Sequence, residues 1–225
     1  MKYILKLLLS LLFISSLLNA QEFKKPDFDP RLSIDSRSVQ WYNDSDDDSD
    51  SAFNIGLTYN NKIKDYKQAE FWYLQSWKID KNRNALVNLG ILYGTHLKEY
   101  KKAEIWYKRV SEIEPNNPNG LFNLALLYKA KLNNPKLAII YYKNAIERES
   151  LNAIKNLSLL YYEQKDYMKS VEYMVALSDK TYTKKKVFAL FRKHWKFDEA
   201  TIKKGYEAQL KSKIIPEKLK YKGGI

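Results

Sequence analysis

The stretch "LVNLGILYGTHLKEYKKAEIWYKRV", residues 86–110, decides how the rest of the chain is read. "FNIGLTYNNKIKDYKQAEFWYLQSW" precedes it at 53–77, and "LFNLALLYKAKLNNPKLAIIYYKNA" follows it at 121–145. A small residue recurs at Gly56, Gly90, Ala125 and Ser158. A tyrosine lies three residues after each, at Tyr59, Tyr93, Tyr128 and Tyr161. A second small residue, at Ala69, Ala103, Ala138 and Ser170, is followed four residues on by Tyr73, Tyr107, Tyr142 and Met174. Positions three or four apart share one face of a helix. Each copy therefore predicts two helices whose axes approach at small residues, with aromatic rings beside them. Self-similarity of this period belongs to stacked supersecondary units.

The connectors agree with that reading. "NNP" places Asn134 at a helix N-cap and Pro135 at the first helical position, where a missing N–H costs least. "EPNNP" at 114–118 ends one hairpin and starts the next, because proline cannot continue a helix. Asp65 and Asp166 are expected to cap two other second helices. The repeated letters are Gly, Ala, Leu, Tyr and Trp. They are packing residues, with no nucleophile–base pairs among them.

The pattern at Leu86, Leu89, Gly90, Tyr93, Ala103, Tyr107 and Pro115 resembles the tetratricopeptide repeat. "KAEIWYKR" and "QAEFWYLQ" also resemble the related Sel-like repeat. The early Trp of the family is replaced here by Phe or aliphatic residues. The hairpin loop is one residue longer in the first three copies than in the fourth. The resemblance implies an all-α fold, a right-handed α-solenoid of helical hairpins. It contains four such repeats at 51–180 and a degenerate capping hairpin at 181–212. Phe188, Phe191 and Trp195 form an apolar stripe there. Asp198 is the expected N-cap of the last helix, and residues 213–225 are expected to be a flexible tail.

Residues 1–20, "MKYILKLLLSLLFISSLLNA", have the layout of a secretory signal peptide: Lys2 and Lys6, an apolar centre and Ala20 at the cut. A periplasmic or secreted location follows as the expectation. The chain has no cysteine, which removes disulfides, lipid attachment through cysteine and thiolate metal sites. No cofactor is expected, since nucleotide-binding glycine loops are absent. The net charge of +13 is uneven. Residues 180–225 carry 14 Lys and Arg against 4 Asp and Glu, whereas 21–50 carry 4 against 9. Residues 21–50 are expected to be an acidic, partly disordered segment. They could also lie back in a groove with Trp41 and Tyr42 as the plug, in an inhibited monomer or a weak dimer.

Four features compete as sites. By the resemblance, the first helix of each hairpin lines a concave groove that binds a peptide or helix. Its lining would be Phe53, Leu57 and Asn60; Val87 and Ile91; Phe122, Leu126 and Lys129; Lys155, Leu159 and Tyr162. Some family members grip a terminal carboxylate on these helices, but the early pairs Phe53/Leu57 and Val87/Ile91 cannot do so. Asn54, Asn88, Asn123 and Asn156 form a ladder that suits either a bound backbone or the neighbouring hairpin. "NDSDDDSDS" at 43–51 opens like a calcium loop, but Ser49 and Ile55 stand where glycine and glutamate are needed, so no metal is expected. The last feature is a basic face of Lys184, Lys185, Lys186, Arg192, Lys193, Lys196, Lys203 and Lys204.

These features point to a non-enzymatic interaction scaffold or adaptor of the cell envelope, with another protein or peptide as partner. The alternative is surface attachment, the basic face docking on anionic lipid or glycan. Nucleic acid is not expected to meet an exported chain. A hydrolase of the Sel-like type is the remotest reading, because such enzymes resemble a cysteine-rich version. His96 and His194 have no evident catalytic partner nearby in sequence.

Overall fold

A computed structural model describes residues 24–34 and 36–225. The expected signal peptide at 1–20 lies outside the described residues. Among them there are eleven α-helices and no strand. They fall into two compact units, the first ending at Val110 and the second starting at Ser111.

In the first unit, a 3-10 turn at Pro30–Ile34 leads to α1 (Ser36–Asp44). α2 (Ser49–Thr58) and α3 (Tyr66–Asp80) make the first hairpin. α4 (Arg83–Ile91) and α5 (Tyr100–Ile113, in this unit as far as Val110) make the second. The recurrent small residues do what their spacing predicts. Gly56 lies directly under the Tyr73 ring, and a Cβ there would sit 2.6 Å from it. Gly90 lies under the Tyr107 ring in the same way, at 2.3 Å. Tyr73, Trp72, Ala69, Ile55 and Leu89 are almost wholly buried.

Where the sequence predicts a partly disordered acidic segment, residues 24–44 are packed on the first hairpin. Leu32 is fully buried, and Ser38 meets Thr58 at 3.4 Å. Asp29 receives hydrogen bonds from Arg31 Nε and from the Tyr59 hydroxyl, the latter at 3.0 Å. Arg31 also pairs with Asp65 at 2.9 Å, so one guanidinium ties the segment to the hairpin turn. The Arg31 hydrogen bonds, joined by that from Tyr59, hold the Asp29 carboxyl below its ordinary range. Charge density favours disorder only when too little apolar surface is available to bury. Here Leu32 and Tyr42 supply it. Tyr42 is no plug of the first-helix face. Its ring meets Phe28 at 5.1 Å and Trp72, on the second helix of the hairpin, at 6.2 Å.

In the second unit, α6 (Asn119–Ala130) and α7 (Pro135–Glu147) form one hairpin. α8 (Leu151–Glu163) and α9 (Tyr167–Val175) form the next. In that hairpin Met174 replaces the ring, and the two helices meet through serines. Ser158 donates to the Ser170 carbonyl at 2.7 Å, both side chains being fully buried. α10 (Lys184–Ala189) and α11 (Glu199–Lys211) complete the unit. α11 packs on α9 at Gly205, where a Cβ would meet Val171 at 2.5 Å.

The side chains of Asp65, Asn134, Asp166 and Asp198 each cap the helix expected of them by accepting a backbone N–H. The longer loop of the early copies also has a structural form. The first helices of three hairpins end in π-type turns, at Tyr59–Ile63, Leu92–His96 and Leu190–His194. There the amides of Asp65, Glu99 and Phe197 reach back six residues to Tyr59, Tyr93 and Phe191. Asn134 does the same to Tyr128, whereas in the shorter loop Asp166 reaches back five, to Tyr161.

The end of the chain is ordered against α11, although its many lysines suggest a flexible tail. Ile215, Leu219 and Tyr221 are buried, and the Tyr221 amide donates to buried Gln209 Oε1 at 2.6 Å. Glu217, bridged by Lys222 and Lys220, has its carboxyl drawn down to about 2. Replacing Ile215 by Ala is predicted to cost about 2–4 kcal/mol of unfolding free energy, the range for deleting a buried aliphatic side chain. Chemical denaturation followed by far-UV circular dichroism measures this, and an unchanged midpoint would return the tail to a flexible role.

Candidate ligand-binding groove

The expected lining residues sit on first helices, where the repeat spacing puts them. In the first unit Phe53 and Leu57 on α2, and Val87 and Ile91 on α4, are half-exposed. Each lies one turn before, or directly after, a small residue that faces the hairpin interior, and so at the margin of the packed face. Phe53 leans on Tyr73, with ring centroids 5.8 Å apart. Asn60 does not belong to an open surface: it is 6 % exposed, and its amide donates to Asn61.

In the second unit Phe122 and Leu126 on α6, and Leu159 on α8, are likewise half-exposed. Phe122 approaches Tyr142 at 6.1 Å, repeating the Phe53–Tyr73 arrangement. Lys129 is neutralised by Glu163 at 2.8 Å. Tyr162 is stacked on Trp195 at 4.5 Å and neighbours Tyr167 and Phe197, so it serves aromatic packing between α8 and the last hairpin.

Beyond Leu159 the surface deepens into a cleft of about 440 Å³. Lys155 and Leu159 on α8 form one side and Met174 of α9 part of the wall. Tyr182, Lys186, Val187, Ala189, Leu190, His194 and Trp195 form the other side. The cleft thus joins residues expected in the peptide groove to Lys186 of the expected basic face. Lys155 Nζ lies 5.7 Å from the Tyr182 ring, a cation–π contact. Sequence reading places Lys155 and Lys186 in separate features. It also leaves His194 and Met174 without a binding role, because nothing in their local spacing shows that the α9–α10 connection brings them together.

The rest of the basic face is dispersed. Arg192 is held by Glu199 through paired hydrogen bonds of 2.6 and 2.8 Å. Lys184 reaches the Gly223 carbonyl at 3.4 Å and the Phe188 ring. Lys185, Lys193, Lys196, Lys203 and Lys204 are exposed. The acidic run is occupied with structure: Asp48 caps α2, and Asp46 pairs with Lys25 at 3.0 Å. His96 stacks on Tyr66 at 4.5 Å.

Comparison with protein families matches a tetratricopeptide repeat model to residues 84–117 and 118–150. Residues 84–150 carry two tetratricopeptide repeats. The matched segments contain Gly90 and Tyr107 in one copy and Ala125 and Tyr142 in the next, the same small–aromatic pairs that close the hairpins. Comparison with curated proteins gave no match. Tetratricopeptide repeats generally mediate binding to other proteins or peptides. The first-helix surfaces described above are where such a repeat presents half-exposed side chains.

The asparagine ladder is on this surface too. Asn88 and Asn156 each donate to the backbone carbonyl four residues earlier, at 2.9 Å, and so bond their own helices. Asn156→Ala should therefore change unfolding free energy by no more than about 0.5 kcal/mol. A loss near 1 kcal/mol or above in urea denaturation would show that this amide joins neighbouring hairpins instead.

Proposed function

We propose that this protein is an exported, non-enzymatic adaptor that holds a segment of another protein against the first helices of its repeats. The observation that carries the proposal is the half-exposed apolar series Phe122, Leu126 and Leu159 on α6 and α8. Apolar residues kept at the surface of a repeat whose class binds proteins suit a partner's apolar side chains. The secretory layout of residues 1–20 supports an envelope location. A second reading is supported by the lysines at 185, 193, 196, 203 and 204, which are exposed and have no carboxylate within ion-pairing distance among the described residues. They suit an anionic surface.

Ionic strength separates the two. An apolar groove holds its partner at high salt, whereas exposed cations lose theirs as the Debye length contracts. The chain from residue 21 onward, immobilised and offered envelope extract, should retain a discrete protein at high salt. The Phe122→Asp variant should lose that protein with its far-UV spectrum unchanged. Retention unaffected by Phe122→Asp, or material that elutes entirely with salt, would contradict the groove reading.

A further inference from the structure

The cleft beside α8 is bordered by positive charge and by no negative side chain. Lys129, Lys169 and Arg192 are each paired with a carboxylate. Lys155 and Lys186 line the cleft with no carboxylate within ion-pairing distance among the described residues, and no acidic side chain lines it. The walls between them are Met174, Val187, Leu190 and Trp195. Two uncompensated ammonium groups therefore border an apolar hollow. An anion entering there gains charge-assisted contacts that Lys129, Lys169 and Arg192 have already spent on Asp or Glu.

The lining also tells what the anion should be attached to. Besides the two lysines its polar groups are the Tyr182 hydroxyl, the His194 ring and the Trp195 indole N–H, with no Asp, Glu, Asn, Gln, Ser or Thr side chain. The backbone of α8 and of α10 with its π turn is engaged in helical hydrogen bonds. A peptide backbone buried here would find few acceptors for its amides, which is costly. An acyl chain or ring makes no such demand. The volume of about 440 Å³ lies in the size class of small-ligand sites, roughly 300–1,000 Å³. We propose that this cleft binds a small amphiphilic carboxylate, its apolar body against Leu159 and Trp195 and its head between Lys155 and Lys186. This goes beyond the protein-binding groove and does not depend on it.

The test is calorimetric titration of the full chain at neutral pH with decanoate below its micellar concentration. Decyltrimethylammonium, acetate and a short acidic leucine-containing peptide are titrated in parallel. Decanoate should bind saturably at one site. The cationic amphiphile, which has the same tail, and acetate, which has the head alone, should bind at least about tenfold more weakly. The Lys155→Glu/Lys186→Glu double variant, with helicity unchanged, should lose about tenfold or more in decanoate affinity, while Lys203→Glu/Lys204→Glu retains it. The proposal is overturned if decanoate gives no saturable binding, if the two amphiphiles bind alike, or if the Lys203/Lys204 variant loses as much. Binding of the acidic peptide with decanoate inert would also overturn it, and would assign the cleft to the partner protein. Phe122→Asp should leave decanoate affinity unchanged, which keeps this outcome separable from failure of the groove reading.

Discussion

Everything described here depends on how closely the two helices of a hairpin can approach. At Gly56 and Gly90 the missing Cβ is the space that the Tyr73 and Tyr107 rings occupy. Where alanine replaces glycine, at Ala125, both it and Tyr142 remain fully buried. Where serine stands in that place, at Ser158, the ring is gone and a hydroxyl-to-carbonyl hydrogen bond fills the interface. Core packing tolerates changes that conserve volume and penalises those that do not. The last pair follows that rule, Met174 standing where the glycine and alanine copies keep a tyrosine.

The contact also fixes the surface. With the small residue turned inward, the residues next to it on the helix, Phe53 and Leu57 or Phe122 and Leu126, are held half-exposed. They are apolar, and the partner helix covers them only in part: Phe53 leans on Tyr73 and Phe122 on Tyr142. A repeat unit also leaves an apolar flank at each end of a stack, which must be closed. Residues 24–44 cover the first hairpin through Leu32, Tyr42 and the Asp29–Arg31–Asp65 cluster. Ile215, Leu219 and Tyr221 close over α11. Both closures come from segments whose composition is strongly charged.

That explains what could be read from the sequence and what could not. The hairpins were legible because their contacts are local: Gly90 and Tyr107 sit at a fixed spacing that recurs. The caps at Asp65, Asn134, Asp166 and Asp198 were legible because a cap is decided within one turn. The order of 24–44 and 213–225 was not, because it depends on long-range partners such as Thr58, Tyr59 and Gln209. Gly205 escaped notice for the same reason, since its close neighbour Val171 belongs to another hairpin. At the surface, the apolar groove positions followed from the resemblance to the tetratricopeptide repeat. The separation of Lys129 from Lys155 needed coordinates, because the sequence does not tell which lysine finds a carboxylate.

The central claim is that the small residue and the ring opposite it form one packing unit. A double-mutant cycle on Gly90→Ala and Tyr107→Leu, read as unfolding free energy, tests it most directly. Gly90→Ala alone should cost about 1–3 kcal/mol, because the new methyl must displace the ring. With Tyr107→Leu already made, the same change should cost less by at least about 0.5 kcal/mol. Costs that add within about 0.3 kcal/mol would mean that the two side chains act independently, and the account of the hairpin would be wrong.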